Sequence, residues 1–322
     1  MPTRRLPADD PSAIADAAAL LRTGALVAFP TETVYGLGAD ATDPAAVVRI
    51  YEAKQRPRFN PLIAHLPDAA AADAEGVLDA RARRLADAFW PGPLTLVVPR
   101  APGGSVCDVA RAGLDTVALR VPAHPLAHAL LVAAGRPIVA PSANRSGRVS
   151  PTAVDHVLDD LDGRIAAVLD GGETRVGVES TIVACVDETP RLLRPGGVPR
   201  SALEDVLGSP LAGSLPEGGV RAPGMLASHY APRARVRLDA AEIRAGEAAL
   251  LFGPAQPQGL GHAVATFNLS VGGDLAEAAA RLFGGLRRLD ASGAATIAVA
   301  PIPAHGLGEA IRDRLARAAA ER

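Results

Sequence analysis

The stretch from Val27 to Pro61, VAFPTETVYGLGADATDPAAVVRIYEAKQRPRFNP, constrains this chain more than any other. It begins as a short apolar strand, Leu26 to Phe29, and breaks at Pro30, which has no N–H to continue a ladder. Polar side chains follow at Thr31, Glu32, Thr33 and Tyr35, and then Gly36-Leu37-Gly38 reads as a turn. Asp43 and Pro44 suit an N-cap and a first helical residue. Val47, Ile50 and Tyr51 recur at helical spacing, so a helix is expected over 43–55. It ends in Lys54, Arg56, Pro57 and Arg58, ahead of Asn60-Pro61. A donor-rich strand edge, a helix and a proline-stiffened basic loop can grip a small polar anion. A solvated helix end, where cations are favoured anyway, explains the same charges.

Composition sharpens the point. Of 33 Lys+Arg, Lys54 is the sole lysine, and Asn60, Asn144 and Asn268 are the only asparagines. In a chain drifted toward Arg and Ala, a surviving ammonium marks a place for a compact point charge, unless it survives by chance. The 322 residues fit two domains, and the 48% hydrophobic fraction supplies their cores. No eighteen-residue apolar window and no secretory leader are visible, and the two cysteines form neither a disulfide framework nor a zinc site. A cytoplasmic protein without membrane contact is expected. The net charge of −2 argues against strong non-specific nucleic-acid binding while allowing a locally basic cleft.

Along the chain, helices are expected over 11–22, 81–89 and 125–134, with His124 capping the last. Short β runs fall at 62–66, 94–98, 116–121, 138–140, 165–170 and 180–186. They imply an α/β fold whose first part is a large, twisted, mixed sheet with flanking helices. Gly, Pro and Ser crowd 210–222 as a linker, and PGMLASHYAP (223–232) is too specific for a tether. Beyond it, a strand at 248–252, a helix at 275–289, a strand at 296–300 and a helix at 309–319 suit a small, doubly wound, Rossmann-like α/β domain. The boundaries expected are 1–209, 210–232 and 233–322.

Arg120 sits among apolar residues of a strand, where a guanidinium must be paired with a carboxylate or neutralised by a ligand. Pro141-Ser142-Ala143-Asn144 follows a strand end, where α/β folds place ligands, although an ordinary Asn/Ser turn reads the same. In Gly177-Val178-Glu179-Ser180-Thr181 the last two side chains point to opposite faces, so one of them at most faces a cleft. Neither common nucleotide-binding glycine signature is present. His124 and His128 have metal-ligand spacing but no third ligand, and no Gly-x-Ser-x-Gly elbow supports a hydrolase triad.

These stretches resemble the L-threonylcarbamoyl-AMP synthases, the YrdC-like family in its long form with an extra C-terminal domain. The resemblance rests on FPTETVYGLG (29–38), KQRPRFNPL (54–62), WPGPLT (90–95), GLDTVALRVPAHP (113–125), APSANRSG (140–147), SPT (150–152), DGG (170–172), GVEST (177–181), LLRPG (192–196) and PGMLASHYAP (223–232). It implies a nucleotidyltransferase that converts L-threonine, bicarbonate and ATP to threonylcarbamoyl-AMP and pyrophosphate, the first step of threonylcarbamoyladenosine formation in tRNA. The threonine residues it implies are Thr33, His65, Arg120, Ala140 through its backbone, and Ser180. The ATP residues are Arg56, Asn60, Thr116, Ser142, Ser150, Arg194 and Tyr230, with Lys54 in the same motif. Spacing adds Asn144. Lys54 and Arg56 are expected to carry the catalytic charge neutralisation, with Mg²⁺ arriving on ATP and no metal held by side chains. The linker is expected to fold over the nucleotide as a lid. Implied partners are the downstream tRNA threonylcarbamoyl-transfer proteins, with weak binding of double-stranded RNA such as tRNA. The rivals are a non-catalytic RNA-binding maturation factor using the same cleft and a hydrogenase-maturation carbamoyl-transfer enzyme. The first lacks an aromatic stacking ladder, and two cysteines cannot supply the zinc modules of the second.

Overall fold

The computed structural model describes residues 2–55, 60–213 and 229–320, so Arg56 and residues 223–228 of the linker motif lie outside the described residues. Strands β1 (Arg4–Pro7), β2 (Val27–Pro30), β3 (Tyr35–Asp40), β4 (Ile63–His65) and β5 (Leu94–Pro99) come first. With β6 (Thr116–Arg120), β7 (Ile138–Val139), β8 (Ala167–Asp170), β9 (Thr181–Ala184) and β10 (Arg191–Arg194) they form one sheet. Its order is β1-β8-β2-β3-β7-β4-β6-β5-β9-β10, mixing parallel and antiparallel pairs. The helices over this part are α1 (Ala13–Arg22), α2 (Pro44–Lys54), α3 (Ala69–Glu75), α4 (Ala80–Phe89), α5 (Asp108–Arg111), α6 (Pro125–Ala134), α7 (Val154–Leu161) and α8 (Arg200–Leu207).

Period-two alternation sorts side chains between the faces. Ala28, Leu37, Leu96 and Leu119 meet α2, α4, α7 and α8 on one face. Val27, Phe29, Ile138 and Leu169 meet α1 and α6 on the other. Those two helices cover only the β1-β8-β2-β3-β7 side. The rest of that face carries Ile63, Val97, Ala118, Ile182 and Leu193, and among the described residues no helix joins that cluster. This uncovered half-face is where a ligand can lie.

Gly36-Leu37-Gly38, expected as a turn, lies instead within β3, paired antiparallel to β2. Tertiary crowding explains the glycines: a Cβ at Gly38 would sit 2.9 Å from the Phe29 ring, and one at Gly36 3.1 Å from the Ala140 Cβ. Asp43 does cap α2, accepting from the Ala45 N–H at 2.8 Å.

The second sheet contains β11 (Arg235–Arg237), β12 (Ala248–Leu251), β13 (Ala265–Asn268) and β14 (Thr296–Val299), all parallel in the order β11-β14-β12-β13. Helices α9 (Leu275–Asp290) and α10 (Leu307–Ala319) both pack on its Ala248, Leu250, Ile297 and Val299 face. The opposite face is covered by Ala240, Ile243, Leu260 and Ala263. The domain is therefore α/β but not doubly wound, because no α-helix is inserted between β11 and β13. Val34, Val149 and Val178 of the large domain join Ala278, Leu282 and Phe283 in one core, which fuses the two parts. Gly177 allows this approach: at φ +74°, its Cβ would lie 2.3 Å from the Ala279 carbonyl oxygen. Among the described residues no helix is long and apolar enough to cross a membrane.

Candidate active site

Thr33, His65, Arg120, Ala140, Ser142, Ser180, Arg194 and Tyr230 line one cleft on the uncovered half-face, together with Thr31, Glu179 and His229. Parallel pairing of β4 with β6 puts His65 opposite Arg120. Ser180 faces the cleft, whereas the Thr181 hydroxyl donates to the Val198 carbonyl at 2.7 Å, so the opposite-face expectation holds.

Arg120 is 4% exposed. Its Nη2 donates to Glu32 Oε1 at 2.7 Å, and its Nε has no partner among the described residues. A buried guanidinium with idle donors is costly unless an anion takes them. The polarity of the cleft's neutral groups follows from their hydrogen bonds. Thr31 Oγ1 donates its only proton to the Val34 carbonyl at 2.7 Å. In the 2.8 Å Thr31–Thr33 contact Thr33 must then be the donor, which leaves Thr33 Oγ1 an acceptor toward the cleft. His65 Nδ1 contacts the Ile63 carbonyl at 3.1 Å, so the proton is on Nδ1 and Nε2 is an acceptor. Ser180 Oγ lies 2.8 Å from Thr95 Oγ1 and receives Arg194 Nη2 at 3.2 Å. The cleft thus sets charged donors beside neutral acceptors, a pattern that matches a zwitterion.

Of the remaining expected residues, Lys54 and Asn144 bond to Ser142 of this cleft and Ser150 to its Glu179. Lys54 is 1% exposed, and its Nζ donates to the carbonyl of Ser142 at 2.5 Å and to that of Asn144. Asn144 Nδ2 donates to the carbonyls of Arg145 and Arg148, both at 2.8 Å, fixing the loop from its other side. Asn60 is buried, with its carbonyl accepting from the Tyr51 hydroxyl at 3.2 Å. Ser150 Oγ donates to Glu179 Oε1 at 2.6 Å, while Arg314 Nε of α10 donates to Glu179 Oε2 at 2.7 Å. Burial would raise the Glu179 carboxyl, but Arg314, Arg194 and the Ser150 hydroxyl hold it below its usual range. Thr116 lies in a separate pocket with Val97, Asp115 and Leu193, on the face shared by Ala118 and Arg120. It stands four positions along the strand from Arg120, about 13 Å.

Tyr230 has φ +61°, an outlier for a bulky side chain. It is stacked on Phe283 at 5.6 Å, with the Arg314 guanidinium 5.1 Å from its ring. Its buried hydroxyl has no partner among the described residues. A strained residue with an idle hydroxyl in a cleft wall is the kind of position a ligand completes.

His124 Nδ1 caps α6 by accepting from Leu126 N–H at 3.2 Å, while His128 Nδ1 contacts the Pro67 carbonyl. Among the described residues no group of three or more His, Cys, Asp or Glu could hold a metal ion. Glu32, Thr31, Thr95, Glu179 and Arg314 escaped the sequence reading as site residues. Residues 31–34 form a bend closed by the Thr31 N–H on the Val34 carbonyl at 3.3 Å, so no strand period marks Thr31.

Two histidines make stability depend on pH. Burial, then Arg120, pushes His65 down to about 3; burial, then Arg287, pushes His156 down to about 4. Both stay neutral in the fold where the unfolded chain protonates them, below about 6.5. The unfolded state then binds more protons, so stability is full above that pH and is lost as pH falls toward about 4. Each histidine should remove up to about 1.4 kcal/mol per pH unit in that window. Urea unfolding at a series of pH values measures this, and a flat profile between about pH 6.5 and 4.5 would contradict it.

The sequence matches two family profiles. Residues 19–196 match the Sua5/YciO/YrdC family, which carries the description telomere recombination, and residues 198–320 match the threonylcarbamoyl-AMP synthase C-terminal domain. The chain is 51% identical to the threonylcarbamoyl-AMP synthase of Bacillus subtilis, over 72% of this chain and 68% of that protein. It is 42% identical to the threonylcarbamoyl-AMP synthase of Pyrococcus abyssi, over 95% of this chain and 94% of that one. The crystal structure of P. abyssi Sua5 complexed with L-threonine superposes with a TM-score of 0.87 at 38% identity, covering 98% of this chain and 97% of that chain. The chain belongs to the threonylcarbamoyl-AMP synthase family of enzymes, in the form that joins a Sua5/YciO/YrdC domain to the family's C-terminal domain.

Proposed function

We propose that the cleft joins L-threonine, bicarbonate and ATP by positioning and charge neutralisation, with no covalent protein intermediate. The observation that carries this is Arg120, a buried guanidinium with an idle Nε in a cleft that also carries neutral acceptors. The relative crystallised with L-threonine supports placing that amino acid here. Its carboxylate would take Arg120, and its hydroxyl and amine would donate toward Thr33, His65, Ser180 and the backbone of Ala140. The threonine ammonium first loses a proton to solvent, and the neutral amine then forms a bond to the bicarbonate carbon as water leaves. A carbamate oxygen then attacks the α-phosphorus of ATP in line, and the bond to the β-phosphate oxygen breaks to release pyrophosphate.

ATP would occupy the remainder of the half-face, contacting Arg56, Asn60, Thr116, Ser142, Asn144, Ser150, Arg194 and Tyr230. Ser150 has given its proton to Glu179 and can only accept, which suits a ribose hydroxyl better than a phosphate oxygen. Mg²⁺ would ride on the triphosphate oxygens, since Glu32 and Glu179 are both committed to arginines. On this reading 1–209 would be the catalytic unit and 233–322 the docked domain, while 214–228, most of the stretch expected as a lid, lie outside the described residues. The product is a labile mixed anhydride, so the tRNA threonylcarbamoyl-transfer proteins would consume it where it is made, in the cytoplasm.

Lys54 would act by holding the Ser142–Asn144 loop as well as by its charge. Lys54→Arg should therefore lower both activity and melting temperature, because a larger guanidinium overpacks a site of this burial at a cost of about 1–3 kcal/mol. Thermal melting beside the KM for ATP measures both. Unchanged values would remove Lys54 from the site.

The reaction is tested by pyrophosphate release from ATP with and without threonine and bicarbonate, followed by mass analysis of the nucleotide. Release requiring both, with a threonylcarbamoyl-AMP mass, is expected. ATP binding without any adduct would instead favour the RNA-binding reading.

A further inference from the structure

We propose that Glu32 is a specificity-determining residue that prevents Arg120 from serving as a general anion site. The inference rests on the threonine reading of the cleft. Glu32 does not line the cleft; it sits behind Arg120, with Oε1 on the guanidinium Nη2 at 2.7 Å and Oε2 on the Ala123 N–H at 3.1 Å. The backbone of Glu32 is pinned as well, its carbonyl accepting from Val176 N–H at 2.8 Å. The carboxylate is therefore a fixed counter-charge, anchored just beyond the strand that carries Arg120.

Two consequences of this pairing oppose each other. The carboxylate orients the guanidinium, which helps a ligand carboxylate bind, and its negative charge repels that same carboxylate. The second effect decides selectivity. A neutral Arg120–Glu32 pair presents directed donors without net charge, so a ligand must fit their geometry and satisfy the acceptors at Thr33 and His65. A zwitterionic amino acid does both. Chloride, phosphate or bicarbonate offers charge alone, and charge alone is already compensated by Glu32. Without Glu32, the buried cation would take whichever small anion is available. Bicarbonate is itself a substrate in this reading, and on Arg120 it would occupy the threonine carboxylate's place.

The test compares the full-length wild-type protein with Glu32→Gln and the double variant Glu32→Gln/Arg120→Gln. Thermal melts are run in chloride and in gluconate at matched ionic strength, with no substrate present. Chloride should raise the melting temperature of Glu32→Gln specifically, and should leave the wild type and the double variant unmoved. Should Glu32→Gln fold only when an anion is supplied, the same dependence is read as recovery of its melting transition. Calorimetric titration with threonine follows. Chloride held at a Kd of about 50 mM would raise the apparent threonine Kd of Glu32→Gln about 5-fold at about 200 mM chloride, with no change in the wild type. Glu32→Asp, which keeps the charge, should remain chloride-insensitive. Glu32→Gln that responds to chloride no more than the wild type overturns the role of Glu32. Wild-type protein that binds no threonine overturns the substrate reading instead, a result the substrate-free melts do not share.

Discussion

Arg120→Gln is expected to lower kcat/KM for threonine by about 10²-fold or more while shifting the KM for ATP by less than about 3-fold. Glutamine cannot supply the guanidinium's paired, charged donors to a carboxylate, and each charge-assisted hydrogen bond lost is worth about 1.5–3 kcal/mol. Two of them correspond to about 10²-fold or beyond. The substitution also leaves the Glu32 carboxylate buried without its arginine, which would depress stability by itself. The double variant Glu32→Gln/Arg120→Gln separates the two effects: its melting temperature should return toward wild type, and its threonine affinity should not. Equal threonine KM values in wild type and Arg120→Gln would remove Arg120 from the site and the carboxylate-binding role with it.

The threonine side of the cleft was legible for a local reason. Arg120 in an apolar strand and the hydroxyls after Pro30 are anomalies that period and burial expose within a few residues. What pairs with them is not local. Glu32 lies 88 residues from Arg120, and Arg314 lies 135 from Glu179. Helical spacing puts Arg314 on the face of Ile311, Leu315 and Ala318, where it is fully buried, but nothing local says that α10 presents it to another domain. Strand β3 was hidden by glycines whose poor β-propensity is overridden by the crowding of Phe29 and Ala140. Strand β1, Arg-Arg-Leu-Pro, buries only Leu6 and carries no apolar run at all. Helices α3, α5, α7 and α8 have seven, four, eight and eight residues, too short for a 3.6-residue period to stand out.

Arg314→Leu should be the most damaging single change outside the cleft wall, and it tests what the C-terminal domain contributes. Arg314 is a buried polar point where that domain reaches the catalytic one: Nε meets Glu179, Nη2 meets the Pro195 carbonyl at 2.9 Å, and the guanidinium lies over Tyr230. Leucine leaves the Glu179 carboxylate buried without its strongest partner, a loss of about 3–5 kcal/mol. Glu179 holds Ser150, and Tyr230 keeps its left-handed backbone partly through this packing, so the KM for ATP should rise together with the loss of stability. Calorimetry should show the single unfolding transition dividing in two as docking weakens. Gly177→Ala attacks the same interface by a different route, since its Cβ meets α9 backbone that cannot step aside. Adding Glu179→Gln to Arg314→Leu removes the stranded charge and should restore most of the stability. It should not restore ATP affinity, because an amide is a weaker acceptor than a carboxylate for the Ser150 proton. If stability and ATP affinity returned together, the C-terminal domain would be acting only as a support, and the path from Arg314 through Glu179 to Ser150 would play no part in holding the nucleotide.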